Sequence, residues 1–165
     1  MMIHVRKISK EDVDALKDVA KDSWNWTYRG IYSKDFIDKW IKQNYSRKDL
    51  MRVITKSETD PEIIFLGSYL DSTLTGFIEL KVDKRNAILL RLYLKPEFTR
   101  KGIGKSLLSE AEKIMEKIGV TRCTLSVHRR NEIGFSFYIK QGFKIKRIEE
   151  DHYVMEKKYG SHMES

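Results

Sequence analysis

The chain is poor in the residues that build disulfide scaffolds and metal centres. It has one cysteine, Cys123, in 165 residues. That excludes an internal disulfide framework and a multi-cysteine zinc site, and it fits a reducing cytoplasm. Its four histidines, His4, His128, His152 and His162, stand in unlike contexts with no metal-ligand spacing. The only prolines are Pro61 and Pro96, and no repeat or low-complexity linker divides the chain. One domain is expected over residues 1–159. No run of ~18 apolar residues occurs, which excludes a transmembrane helix. Met1-Met2-Ile3-His4-Val5-Arg6 lacks the apolar region of a signal peptide. The expected location is cytoplasmic.

What is present is apolar bulk and charge. Hydrophobic residues make up 41% and aromatics 11%, enough for a packed core. The 34% charged fraction is interleaved with apolar residues, which argues against disorder. Thirty-two Lys and Arg against 24 Asp and Glu give +8. Such a balance suggests an anionic partner: nucleic acid, a membrane surface or a phosphorylated small molecule. Residues 84–147 carry 16 basic and five acidic side chains, a net of +11, and the rest carries −3. An anionic partner therefore belongs to residues 84–147. The alternative is a solvated basic face.

Periodicity gives the outline. Met2 to Ile8 reads as a strand, and Ser9 as a helix N-cap before acidic Glu11, Asp12 and Asp14. A second amphipathic helix is expected over about 33–45, with Phe36, Ile37, Trp40 and Ile41 on one face. An aromatic-rich link, Ser23 to Tyr32, joins the two. Residues 46–62 read as a loop or short helix. Ile63 to Leu70 and Leu74 to Asp83 read as paired strands. Ala87 to Leu94, apolar on both faces except Arg91, reads as a central strand ended by Pro96. A helix over 102–118, a strand over 122–127, a short helix over 131–140 and two final strands follow. The tail Gly160-Ser161-His162-Met163 resembles a vector scar and stays outside the fold argument.

The segment Leu92 to Leu107 is strand, turn, glycines and helix. A helix start offers unpaired N–H groups and a positive dipole end. Gly102 and Gly104 let a phosphate approach that backbone, and Arg100, Lys101 and Lys105 add charge. A tight turn with solvent-facing cations is the bland alternative. The segment is no P-loop, because Gly-x-x-x-x-Gly-Lys-Ser/Thr does not occur. It is no dinucleotide fingerprint either, because Leu107 stands where the third glycine is needed.

Some 30 residues on comes Asn131-Glu132-Ile133-Gly134-Phe135-Ser136-Phe137-Tyr138-Ile139-Lys140-Gln141-Gly142-Phe143. With the glycine segment it resembles the GNAT superfamily of acyl-CoA-dependent N-acetyltransferases. The family's Gln/Arg-x-x-Gly-x-Gly/Ala is matched at Gly102 and Gly104. Its Asn-x-x-Ala/Gly-x-x-Phe/Leu-Tyr-x-Lys-x-Gly-Phe is matched at Asn131, Gly134, Phe137, Tyr138, Lys140, Gly142 and Phe143. The family's Gln/Arg is Thr99 here, so Arg100 and Lys101 stand in for its charge. The resemblance is specific over roughly 74–145. It implies a single-domain α/β (α+β) fold with a mixed, mostly antiparallel sheet of six or seven strands and about four helices. It implies acetyl-CoA as co-substrate and no metal.

The roles it implies fall residue by residue. The N–H groups from Thr99 through Arg100, Lys101, Gly102, Ile103, Gly104 and Lys105 would hold the pyrophosphate. The strand Leu92, Tyr93, Leu94 would pair with the pantetheine and aim an N–H at the thioester carbonyl. Asn131 would contact the pantetheine arm, Lys140 would lie on the cofactor side, and Tyr138 would protonate the leaving thiolate. Each has a plainer alternative: Asn131 as helix N-cap, Lys140 as a helix C-terminal cation, Tyr138 as a core aromatic.

An attacking amine must be neutral. At a pKa of ~10.4, on the order of one molecule in a thousand is ready at neutral pH. A base is needed, and Glu79 is the candidate, against a solvent-facing strand Glu. Many GNAT enzymes place a Glu one strand later, where this chain has Ile88. Cys123 as an acetyl carrier is weighed against a packed small hydrophobe.

Trp24, Trp26, Tyr28 and Tyr32 could wall a cation, with Asp35, Asp38 and Glu79 as carboxylates. Their alternative is to anchor helices on the sheet. Trp26 to Tyr32, followed by Asp35-Phe36-Ile37, resembles the start of PaiA-type polyamine acetyltransferases. That implies spermidine or spermine as acceptor, with Trp26, Tyr28, Tyr32 and Asp35 as acceptor contacts. The expected partners are a small amine and, optionally, a second copy in a homodimer; no nucleic acid and no membrane. A protein N-terminal or lysine acetyltransferase is the alternative, and a non-catalytic nucleic-acid-binding module a third reading.

Overall fold

The computed structural model describes residues 2–160. The tail read as a vector scar lies outside the described residues from Ser161 on. Seven strands form one sheet: β1 (Ile3–Lys7), β2 (Ile63–Leu70), β3 (Thr73–Asp83), β4 (Asn86–Leu94), β5 (Arg122–His128), β6 (Lys144–Glu149) and β7 (His152–Lys158). Their order is β1-β2-β3-β4-β5-β7-β6. Every pair is antiparallel except β4–β5. Five α-helices accompany them, where about four were expected: α1 (Val13–Tyr28), α2 (Lys34–Asn44), α3 (Arg47–Ser57), α4 (Ile103–Lys117) and α5 (Glu132–Lys140).

The additional helix is α3, in the stretch read as a loop or short helix. Ser46 caps it, accepting from the Asp49 N–H at 3.2 Å. Leu50 and Ile54, four residues apart, anchor it at 1% and 0% exposure. Two buried residues among charged ones give a weak periodic signal, so packing decides the helix rather than pattern. Ser9 holds a reciprocal contact with Asp12, its N–H donating to Oδ2 at 2.8 Å. It opens a 3-10 turn, Lys10–Asp12, that runs into α1 rather than capping α1 itself.

Each face of the sheet carries its own core. On one, α4 lays Ile103, Leu107, Leu108 and Ala111 against Ile78, Leu80, Cys123 and Leu125. On the other, α1, α2 and α3 bury Leu16, Ile37, Ile41, Leu50 and Ile54 against Phe65, Tyr69 and Phe77. β3 is thus buried on both sides.

β4 departs from its expectation. Ala87 and Leu89 are buried, but Ile88 and Leu90 are about half exposed. α1 lies over the far end of β4, where Trp24 meets Tyr93 at 6.1 Å, and leaves its start open. A bulge sits there too: Leu80 faces Leu89 and Glu79 faces Arg91, so Leu90 is the extra residue.

Candidate active site

β4 and β5 touch over only three residue pairs, Asn86 with Arg122, Ala87 with Cys123 and Ile88 with Thr124. Beyond them both strands continue, β4 to Leu94 and β5 to His128, without pairing to each other. The β4 backbone facing β5 has no ladder past Ile88, a stretch that includes Leu92, Tyr93 and Leu94. A ligand that hydrogen-bonds like a strand is the natural partner for such an edge.

The glycine segment closes one end of this gap. The N–H groups of Ile103, Gly104 and Lys105 precede the first intrahelical bond of α4, from the Ser106 N–H to the Gly102 carbonyl at 3.0 Å. Gly102 sits at φ +79°, and Arg100 at φ +61°. These left-handed residues fold the backbone into a turn that fits an anion-binding concavity. The Thr99 hydroxyl donates to the Pro96 carbonyl at 2.8 Å, so the side chain at the family's Gln/Arg position is spent on the turn. Arg100, Lys101 and Lys105 are exposed around it. A Cβ on Gly104 would come within 3.3 Å of the Phe137 ring, so α4 and α5 approach closely there.

On β5's side of the gap, Asn131 caps α5 by accepting from the Gly134 N–H at 3.0 Å. A Cβ at Gly134 would reach within 2.6 Å of Asn131 Nδ2, so the glycine makes room for the cap. The cap uses Oδ1 and leaves the amide nitrogen for a ligand. Tyr138 is 9% exposed and packs its ring against Phe137 and Phe143. Burial, then Tyr28 and Cys123, pushes its phenol well above the usual range, so it keeps its proton. Lys140 is exposed in the last turn of α5.

Comparison with known proteins settles the family. Residues 16–143 match the model of the Acetyltransferase (GNAT) family. The chain belongs to the GNAT acetyltransferase family. It is 54% identical over 98% of its length to the whole of a spermidine N(1)-acetyltransferase of Thermoplasma acidophilum. The crystal structure of the PaiA N-acetyltransferase from Thermoplasma acidophilum, in complex with coenzyme A, superimposes with a TM-score of 0.94. That match is also 54% identical and covers 96% of this chain and 100% of the other. The ribosomal-protein-S18-alanine N-acetyltransferase from Escherichia coli shares the fold at a TM-score of 0.71, with 17% identity over 98% and 97% of the two chains. The chain is thus an α/β GNAT N-acetyltransferase with a seven-stranded, mostly antiparallel sheet.

The opposite face of the acetyltransferase holds Glu79, and it is not a solvent-facing strand residue. It is 7% exposed, and its Oε1 lies 3.5 Å from Arg91 Nε, whose guanidinium covers the Tyr45 ring. Burial raises its carboxyl pKa, and Arg91 partly offsets this. Glu79 Oε1 and Arg91 Nη1 are buried without a hydrogen-bond partner. The partner Arg91 was legible only as the charge that interrupts an apolar strand.

The aromatic link splits in two. Tyr28 turns inward, packs on Trp24 at 4.1 Å and lies near Tyr93, which also meets Trp24 at 6.1 Å. Tyr32 meets the His128 ring edge-on at 5.5 Å, and the Gly30 carbonyl accepts from Arg130 Nη2 at 2.8 Å. The link therefore bridges from α1 to the end of β5, across the mouth of the gap. His128, the last residue of β5, is 5% exposed and firmly oriented. Its Nδ1 accepts from the Arg130 N–H at 3.1 Å and its Nε2 faces Asp151 Oδ2 at 3.2 Å. Trp26 belongs to this link too. With Tyr32, Asp22, Arg29, Glu97 and others it lines an open cavity of about 530 Å³. Asp35 is exposed and paired with Lys39 at 3.1 Å, and Asp38 with Lys34 at 3.3 Å.

Cys123 is fully buried, and its thiol is pushed up to about 12, chiefly by burial. Among the described residues no cluster of three or more His, Cys, Asp or Glu could hold a metal ion. No helix is long and apolar enough to cross a membrane, among the described residues.

Proposed function

We propose that this acetyltransferase moves the acetyl group of acetyl-CoA directly to a primary amine of a polyamine, spermidine foremost. The observation that carries the reading is the 54% identity, spread over 98% of the chain, to a spermidine acetyltransferase. The gap between β4 and β5 fits a pantetheine arm, because its β4 edge offers unpaired backbone. The α4 start fits a pyrophosphate, with Arg100, Lys101 and Lys105 neutralising it. When bound, acetyl-CoA supplies an activated acetyl thioester.

The chain's own residues do the rest. A β4 N–H in the Leu92–Leu94 stretch polarises the carbonyl. Tyr138 holds a phenolic proton beside the gap, hydrogen-bonds the sulfur and gives it that proton as the C–S bond breaks. Glu79 takes the proton of the incoming ammonium, through water, with a basicity set by burial against Arg91. Asn131 and Lys140 face the cofactor side. Trp26, Tyr28 and Tyr32 are assigned to the acceptor side, with Tyr32 the one at the mouth of the gap, whereas Asp35 is held by Lys39. The buried, weakly acidic Cys123 supports direct transfer over an acyl-enzyme.

Thiol release from acetyl-CoA with a panel of polyamines, monoamines and peptides tests the reading. Turnover is expected with spermidine and spermine. Turnover confined to peptides overturns the acceptor class and leaves the acetyltransferase.

A further inference from the structure

α2 carries two apolar stripes, and only one of them is fully buried. Ile37 and Ile41 are buried in the core. Phe36 and Trp40, on the other stripe, stay 42% and 37% exposed. They continue a run of rings that begins inside the protein. Trp24, 6% exposed, packs on Tyr28 at 4.1 Å and on Trp40 at 5.2 Å. Tyr28 meets Tyr32 at 5.5 Å, Tyr32 meets Phe36 at 4.5 Å, and Phe36 meets Trp40 at 6.1 Å. Phe36 and Trp40 are four residues apart on α2, a helical rise of about 6 Å, and Tyr32 just precedes the helix.

The outer rungs have a direction. Tyr32 touches His128, at the end of β5 and the mouth of the gap. Phe36 and Trp40 lead away from it along α2. The lysines beside this stripe pair on their own helix, Lys34 with Asp38 and Lys39 with Asp35. Aromatic faces attract cations and tolerate methylene groups equally well. A ligand of ammonium groups joined by short methylene spacers matches both properties.

We propose that Tyr32, Phe36 and Trp40 bind the part of a polyamine that does not react, holding its distal ammonium while the primary amine reaches the gap. The proposal rests on the polyamine reading above and goes further by assigning Phe36 and Trp40 a substrate. The rings set acceptor affinity and discriminate a polyamine from a monoamine. Proton transfer and acetyl-CoA binding lie elsewhere.

The test compares Phe36→Ala and Trp40→Ala with wild type, using spermidine and a monoamine of similar length. Each variant should raise the KM for spermidine about fivefold, with the KM values for the monoamine and for acetyl-CoA unchanged. Phe36→Tyr and Trp40→Phe should restore most of the affinity. An unchanged spermidine KM in both alanine variants overturns the proposal. So does an equal rise for monoamine and acetyl-CoA, the mark of a structural role. Titration of CoA-loaded protein with spermidine, read by tryptophan fluorescence, separates the two readings. Quenching lost in Trp40→Phe, but without turnover, would keep the ladder and sink the substrate assignment. No quenching in wild type would sink the ladder.

Discussion

The Arg91 guanidinium meets the Glu79 carboxylate at 3.5 Å, inside the face that α1, α2 and α3 cover. The same guanidinium lies 4.5 Å over the Tyr45 ring, and its Nη2 donates to the Asn44 carbonyl at 3.4 Å. Arg91 thus ties the end of α2 to the sheet, and it lowers a carboxyl pKa that burial raises. Removing it should act on two measurable quantities at once.

Arg91→Met leaves Glu79 buried and unpaired. The variant should lose about 3 kcal/mol at pH 8. A carboxyl with a raised folded pKa adds stability at low pH, and that contribution fades as pH rises through the folded value. Without Arg91 the folded value climbs further, so the deficit should shrink as pH falls and Glu79 protonates. Denaturant melts at pH 5 and pH 8 check this. The acid limb of the kcat/KM profile should move to higher pH in the same variant.

Tyr138→Phe and Glu79→Gln separate acid from base. Each should lower kcat by roughly 10²–10⁴ with little change in either KM. Glu79→Gln should also flatten the acid limb, whereas Tyr138→Phe should leave it. Undiminished turnover in Tyr138→Phe would remove that residue as the essential acid. An unchanged pH profile in Glu79→Gln would remove Glu79 as the base.

Two glycines near the gap should respond differently to alanine. At Gly102 a Cβ meets nothing within 4 Å, so only the left-handed backbone objects, at about 1–2 kcal/mol. At Gly76 a Cβ would stand 2.2 Å from Leu94 Cδ2 and 2.9 Å from the Tyr93 carbonyl oxygen. Gly76→Ala should therefore displace β4 itself, cost about 1–3 kcal/mol and raise the KM for acetyl-CoA. Thermal melts and acetyl-CoA kinetics distinguish the two.

Salt should report on the loop charges. The backbone cradle is fixed, but Arg100, Lys101 and Lys105 are exposed and screened over about 8–10 Å at physiological ionic strength. The KM for acetyl-CoA should rise with salt. Lys101→Gln combined with Lys105→Gln should raise it at low salt and weaken the salt dependence.

Cys123→Ala should retain full kcat, because no acetyl passes through the thiol. Its cost should be about 1 kcal/mol of stability, from a small cavity. Loss of turnover with an intact thermal transition would revive an acyl-enzyme.

The cofactor side was plain in the sequence because its devices are local. Gly102 and Gly104 at a helix start, and Asn131 three residues before Gly134, need only neighbours to explain them. α4 and the strands were legible for the same reason. The acceptor side depends on contacts across the chain. Asp35 looks like a carboxylate for a cation until Lys39, four residues on, takes it. Phe36 and Trp40 fall on a helical face with Ile37 and Ile41, and periodicity cannot say that α2 turns only the isoleucines inward. Glu79 alternates with Thr75 and Lys81 like a surface residue. Only the roof of α1, α2 and α3 buries it, and α3 itself left little trace in sequence. His128 gains its orientation from Asp151, which lies beyond a helix and a strand.

Three residue pairs join the two halves of the sheet, at Asn86, Ala87 and Ile88. Past them the β4 edge toward β5 is backbone without a neighbour, and its amides are open to exchange with solvent. A ligand lying there would act as an eighth strand and turn two half-sheets into one continuous hydrogen-bonded unit. Exchange of the β4 amides that point toward β5, at Leu92 and Leu94, should then be fast in the free protein and slow in the loaded one, while the alternate amides paired with β3 stay protected in both. Occupancy of the site is written into the solvent exchange of a single strand edge, and the mechanical continuity of the sheet belongs to the complex.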